Sequence, residues 1–337
     1  MYIQTQSELE KLVPMLRQFP VLAFDTEFFW ERTYYPVLGL IQIAADNQNC
    51  WLIDTVSIKD LSPLGEILAS QEIVKVLHDA PQDLWILRRA CHCEAVNLFD
   101  TRLAAGFAGL DSTCSLKKLL FDLFAIDLAK DQTRSDWTRR PLSPEQIQYA
   151  GDDVIFLPKT REELLRRCSE PLWMVEEMKR LETITPEKTP EQLLQRIRGL
   201  QRIPALQQAI LREFLAWREE TARRLDRPRA HVIQDETLFD FLRGENPPHR
   251  HQEALQEIRR NVENAPVAPL KKRESFSKQQ VDGFLKQIRA ACAKHKIDPA
   301  LAGSRTDVEK YLSADAAEKE QSIFSVTWRK MLLPDGV

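Results

Sequence analysis

The chain has 337 residues, 43% apolar and 29% charged, with a net charge of −3. This is globular composition, long enough for two or three packed units, and it excludes an intrinsically disordered chain or a small disulfide scaffold. The opening MYIQTQSELEKLVPML carries early carboxylates and no signal-peptide apolar run, and no later stretch reaches the roughly 18 apolar residues of a membrane span, so a soluble, cytoplasmic protein without a membrane partner is expected.

Short β-rich runs open the chain: VLAFD at 21–25, LGLIQIA at 38–44, CWLID at 50–54, IVKVLH at 73–78 and NLFD at 97–100. The loops joining the first three are too short for crossover helices, which predicts an antiparallel meander; helix-length segments near 60–70 and 80–91 separate the later runs. The expected front domain is α/β, a mixed sheet with helices on its faces. Cys91, His92 and Cys93 lack a second ligand pair placed to complete a zinc site, so they read as a helix end. The six cysteines show no regular spacing and read as reduced thiols.

From Ser112 onward the strand signal ends and apolar residues recur at helical spacing through LKKLLFDLFAI, PEQIQYAGDDVIFLPKTREELLRRC and LWMVEEMKRLE. TITPEKTPEQL, with Pro186 and Pro190, predicts a domain boundary, since proline disfavours helix continuation. A second break falls at ENAPVAPLKKRESFS, where Pro266 and Pro269 precede Lys271, Lys272 and Arg273. The two helical blocks it separates each pair early amphipathic helices with an acidic turn, a hint of an internal repeat. Charge divides along the same line, with a net −8 over residues 1–190 and +5 over 191–337. An acidic front half calls for cations, and a basic rear half can supply phosphate contacts.

The chemistry concentrates in three islands. Asp25 and Glu27 in FDTEF stand two apart at the expected end of a buried strand, so both side chains share one face of the sheet, where a charge pair after Val-Leu-Ala-Phe has little structural reason to be. Asp83, in HDAPQDL, falls in the first turn of the helix after His78. It can serve the helix dipole, with Asp79 as N-cap, or join the site if strand IVKVLH brings this turn beside the first strand. Tyr149 and Asp153 in YAGDD are four apart and share a helix face, while Asp152 is turned about 100° away. A phenol there can orient a water or help remove its proton. Oxygen ligands of this kind suit two Mg²⁺ or Mn²⁺ ions about 3.5–4 Å apart, the arrangement that hydrolyses phosphodiesters.

Along residues 1–170, FDTEF, RTYYPVLGLIQIA, HDAPQDL and QTRSDWTRRPLSPEQIQYAGDDVIFL follow the pattern of the ribonuclease D family, which this sequence resembles. The segment around Asp136, Trp137, Arg140 and Leu142 is its most specific part. The resemblance implies an RNase H-like 3′–5′ exonuclease of the tyrosine-containing DEDD branch that releases nucleoside 5′-monophosphates from RNA, with all five site positions present. It implies that Asp25 bridges two metals, that Glu27 and Asp153 hold the metal carrying the attacking water, that Asp83 supports the second metal through water, and that Tyr149 orients the nucleophile. Thr26, Phe28 and His78 become candidate contacts to the terminal nucleotide. Asp152 departs from the small residue common in relatives.

Residues 201–270 resemble the HRDC module, and 275–334 more loosely a second, divergent one. With an exonuclease domain at 1–188, three domains are expected. The modules imply nucleic-acid binding, and Arg223, Arg224, Arg227 and Arg229 are the densest basic cluster in them. The implied partners are structured RNAs such as tRNA precursors, with no obligate protein partner. A DNA exonuclease, or a silent RNA-binding protein on the same scaffold, is the alternative.

Overall fold

The five β-rich runs and a short further strand at Tyr2–Ile3 assemble into one six-stranded sheet in a computed structural model that describes residues 1–128, 132, 135–245, 250–265 and 276–334. The elements of this front region are β1 (Tyr2–Ile3), α1 (Gln6–Leu16), β2 (Val21–Phe29), β3 (Val37–Ala44), β4 (Cys50–Asp54), α2 (Gly65–Leu68), β5 (Val74–Leu77), α3 (Pro81–Cys91), β6 (Leu98–Asp100), α4 (Thr101–Phe107), α5 (Leu116–Phe124), α6 (Pro144–Ile155), α7 (Leu157–Arg167) and α8 (Pro171–Arg180). The sheet order is β1-β4-β3-β2-β5-β6. β3 and β4 pair antiparallel, whereas β2–β5, β5–β6 and β1–β4 are parallel, which makes the sheet mixed as expected. Helix starts follow their caps: Thr5 opens α1 and Ser143 opens α6 through capping boxes with Glu8 and Gln146.

β2 runs past the expected strand end at Asp25 and continues to Phe29, because Thr26, Phe28 and Phe29 sustain a β-favouring pattern. Its pairing with β5 extends only over Val21–Ala23. Asp25 and Glu27 therefore sit beyond the end of β5, where the β5–α3 turn arrives. That turn is not capped by Asp79. Asp79 takes a left-handed φ of 61° and ion-pairs with Arg102, while Asp100 accepts the backbone N–H of Ala80 at 2.8 Å. At the other end of α3, Cys91 is the last helical residue and His92 the left-handed C-cap.

The chain divides into two units. The first comprises the described residues of 1–28, 38–184 and 273–337, the second those of 29–37 and 185–272. The second unit holds α9 (Pro190–Leu194), α10 (Ala205–Leu225), α11 (Arg229–Val232), α12 (Asp235–Arg243) and α13 (Gln252–Asn264) around a core that includes Ile210, Phe214, Leu238 and Phe241. Tyr34 is buried in that core: its hydroxyl donates to Glu219, itself paired with Arg229, and Asp226 accepts the backbone N–H groups of Tyr34 at 3.0 Å and Tyr35 at 3.1 Å.

The last helices, α14 (Lys278–Lys294), α15 (Arg305–Leu312), α16 (Ala316–Glu320) and α17 (Thr327–Met331), belong to the first unit, although residues 275–334 read from sequence as a separate domain. Their attachment has a physical cause. Arg329 forks onto Glu177 of α8 at 2.6 and 3.1 Å, Trp328 donates to the same carboxylate, and the Trp328 ring stacks on Trp173 and meets Phe107 edge-on. Gly106 of α4 lies so close to Leu301 that a Cβ there would be 2.5 Å from Leu301 Cδ1. The basic triplet at Lys271, Lys272 and Arg273, with Pro266 and Pro269, lies outside the described residues. None of the described helices is long and apolar enough to cross a membrane.

Candidate active site

β2, the first turn of α3 and the middle of α6 converge on one cleft of about 340 Å³, lined among others by Asp25, Glu27, Asp83, Tyr149 and Asp153. Period-two alternation places Asp25 and Glu27 on the same face of β2, and the four-residue helical step places Tyr149 and Asp153 on the same face of α6. Ligand oxygens of Asp25, Glu27 and Asp153 all lie within 4.8 Å of one another. Asp83 is held beside them by a hydrogen bond from the Thr26 hydroxyl.

The electrostatics of this cleft run against ionisation. Burial, then the charges of Asp83, Asp153 and Glu27, push the Asp25 carboxyl well above the usual carboxylate range. Burial likewise pushes Asp83 up to about 7. The Tyr149 phenol is raised by burial and by the carboxylates of Asp153, Glu27 and Asp25, so it keeps its proton. Such a set can be ionised together only beside a strong positive charge. Its donors are all carboxylate oxygens, which fits a hard divalent cation.

The other sequence candidates divide. Phe28 and His78 line the cleft. His78 is nevertheless engaged from behind, Nδ1 with the Thr101 hydroxyl at 2.9 Å and Nε2 with the Cys114 carbonyl at 3.2 Å. Thr26 is only 4% exposed and its hydroxyl is committed to Asp83. Asp152 points away and accepts from Gln148 Nε2 at 2.8 Å. In the second unit, Arg229 is committed to Glu219, while Arg223 faces the Tyr34 ring and lies 3.4 Å from Glu187. Arg224 and Arg227 are exposed.

Sequence reasoning missed Gln82, Leu116 and Leu157, which also line the cleft. Gln82 adjoins Asp83 in the first turn of α3, and that adjacency was the available signal; Leu116 and Leu157 look like ordinary core leucines.

A 3′–5′ exonuclease family model matches residues 1–168 and an HRDC domain model matches residues 207–259. The chain is 37% identical to ribonuclease D of Desulfotalea psychrophila, over 99% of this chain and 96% of that one. Ribonuclease D of Pseudomonas paraeruginosa is 38% identical over 72% of this chain and 65% of its own length. Among solved structures, Escherichia coli RNase D, described as an exoribonuclease involved in structured RNA processing, superposes with a TM-score of 0.84 at 25% identity, over 98% of this chain and 96% of its own. The catalytic core of Trypanosoma brucei RRP6 shares the fold, with a TM-score of 0.60 at 22% identity over 77% of this chain and 79% of its own.

Proposed function

The chain belongs to the ribonuclease D family, and we propose on that premise that it is a metal-dependent 3′-to-5′ exoribonuclease trimming the 3′ ends of structured RNAs such as tRNA precursors. The observation that carries the reading is the convergence of Asp25, Glu27 and Asp153 within 4.8 Å, with Asp83 and Tyr149 in the same cleft. Asp25, Glu27 and Asp153, with Asp83 beside them, would hold two Mg²⁺ or Mn²⁺ ions. When bound, such a pair stabilises the attacking and the leaving oxygens of the phosphodiester.

The chain's own residues do the rest. Thr26 fixes the rotamer of Asp83 through its hydroxyl, so its part is positioning. Tyr149 orients the attacking water through its phenol hydroxyl. Phe28 offers an apolar face to the terminal nucleotide. His78 supports the cleft wall, since both its ring nitrogens are engaged from behind. In-line attack of water on the terminal phosphorus would break its bond to the 3′ oxygen, leaving a 3′-hydroxyl on the shortened RNA and releasing a nucleoside 5′-monophosphate.

The helical module at 201–270, and the helices of 275–334 that pack within the first unit, add RNA affinity to the exonuclease site. Arg224, Arg227 and the equally exposed Arg223 supply phosphate contacts, whereas Arg229 pairs with the buried Glu219. The enzyme works in the cytoplasm without an obligate protein partner.

The test follows a 5′-labelled RNA with a single-stranded 3′ tail, and a matched DNA, through incubation with EDTA, Mg²⁺ or Mn²⁺, using wild type and Asp153→Asn. Stepwise shortening of RNA that needs metal and vanishes in the variant is expected. RNA bound but uncut under every metal, or DNA cut in preference, would overturn the proposal.

A further inference from the structure

The segment from Ser135 to Leu142 has no helix or strand, yet it contains Trp137, one of the largest fully buried side chains of the described residues. An irregular segment buries its backbone only if its polar groups are met. Here Arg140 meets them. Its guanidinium forks onto Asp54, Nε to Oδ2 at 2.8 Å and Nη2 to Oδ1 at 2.6 Å, and also donates to the carbonyls of Gly39 at 2.7 Å and Trp137 at 2.8 Å. Asp54, fully buried at the end of β4, further accepts from the Tyr2 hydroxyl and the N–H groups of Val56 and Ser57. The Trp137 backbone is thereby tied to β3 and β4. It passes so close to β3 that a Cβ on Gly39 would stand 2.4 Å from the Trp137 carbonyl oxygen.

What this clamp presents is an aromatic wall. Trp137, Leu40, Leu52, Leu142 and Ala150 form an apolar cluster separate from the main core, and Tyr149 packs against it. The rings of Trp137 and Tyr149 are 6.1 Å apart at 37°. The buried indole N–H finds no hydrogen-bond partner among the described residues, a cost that a leucine or phenylalanine would avoid.

We infer that Trp137, held by the Asp54–Arg140 pair, is a positioning residue for Tyr149: it restricts the tyrosine ring so that the phenol stays over Asp153. The inference rests on the role of Tyr149 stated under Proposed function.

A double-mutant cycle tests it on the full chain with Mn²⁺, using Trp137→Leu, Tyr149→Phe and the pair, read by the single-turnover rate on a 5′-labelled RNA. The Kd for that RNA is measured in EDTA, and the fluorine NMR line of Tyr149 is recorded in metal-free protein labelled with 3-fluorotyrosine. Trp137→Leu is expected to slow cleavage about tenfold in the wild-type background and less than about twofold where Phe already stands at 149, with the RNA Kd changed less than about twofold and the Tyr149 line broadened. Equal slowing in both backgrounds, no slowing in either, or an unbroadened line overturns the inference. If Trp137→Leu lacks a cooperative melt, Arg140→Lys, which keeps the indole and loosens the clamp, takes its place in the cycle, and the same outcomes support or overturn the inference. A rate unmoved by Tyr149→Phe alone overturns the reading of Tyr149; a loss there without coupling overturns only the role of Trp137.

Discussion

Asp25 and Asp54 stand on neighbouring parts of one sheet and meet opposite surroundings. Asp25, half-buried on β2, faces the charges of Asp83, Asp153 and Glu27, and its carboxyl is driven upward by burial and by them. Burial would raise Asp54 as well, yet the hydrogen bonds and charge of Arg140 and the N–H of Ser57 bring it down to about 2. The same holds for Glu177 and Glu219, where Arg329 and Arg229 outweigh burial and keep the carboxyls low. A carboxylate whose charge a neighbouring arginine neutralises is architecture; Asp25 stands instead among like charges, surroundings that suit a divalent cation.

Substituting one member of each class separates them most sharply. Asp25→Asn is expected to reduce metal-dependent RNA hydrolysis by roughly a thousandfold or more while raising the metal-free melting temperature by about 3 °C, because an amide avoids the desolvation and like-charge cost that raises this carboxyl. Activity assay and calorimetry on the same preparation check both halves. A variant that melts lower than wild type in EDTA would contradict the description of the cleft as self-repelling. Asp54→Asn should behave in the opposite sense and cost about 3 kcal/mol, since it leaves the Arg140 guanidinium without its counter-charge. Denaturant titration measures this, and a loss below about 1 kcal/mol would demote the pair to an ordinary surface bridge.

The smallest effect is in pH dependence, and its sign differs between the two classes. Asp83 and Asp25 hold their protons more tightly folded than unfolded. Their contribution to metal-free stability is therefore present in full below about pH 4 and is lost as pH rises toward the folded value, about 7 for Asp83. Asp54 contributes above about pH 4 and loses its contribution as pH falls through about 2. Melting curves in EDTA between pH 5 and 8 should decline with pH, and saturating Mn²⁺ should flatten the decline, because metal binding requires the ionised form. A rising curve in EDTA would contradict the raised carboxyls.

The carboxylates were legible in the sequence because each pair sits inside one local period, two residues on a strand or four on a helix. Asp83 stayed open in the sequence, because hydrophobic pattern gives the strand VKVL but not its neighbour; the β2–β5 pairing supplies that. Other features had no local signal. Arg140 and Asp54 are separated by 86 residues, so the SDW and RPL segment could be seen as specific without any physical reason for it. The placement of 275–334 was hidden for the same reason: helical periodicity gives an amphipathic face but not the surface that covers it, and Glu177 and Arg329 are 152 residues apart. A fragment ending near residue 188 would strip Trp328 and Arg329 from Phe107, Trp173 and Glu177, so truncation there disturbs the first unit as well as removing the second.

Residues 29–37 belong to the second unit although they leave the ribosome with the first. The partners of Tyr34, Glu219 and Asp226, are made 185 and 192 residues later. At synthesis rates of roughly 5–20 residues per second, the Trp30–Tyr35 stretch waits about ten to forty seconds before its binding site exists. During that interval a nascent aromatic segment, attached directly to the strand that bears Asp25 and Glu27, is available to chaperones and to neighbouring chains alike. The native contacts of Tyr34 thus cannot close before the chain has been made as far as residue 226.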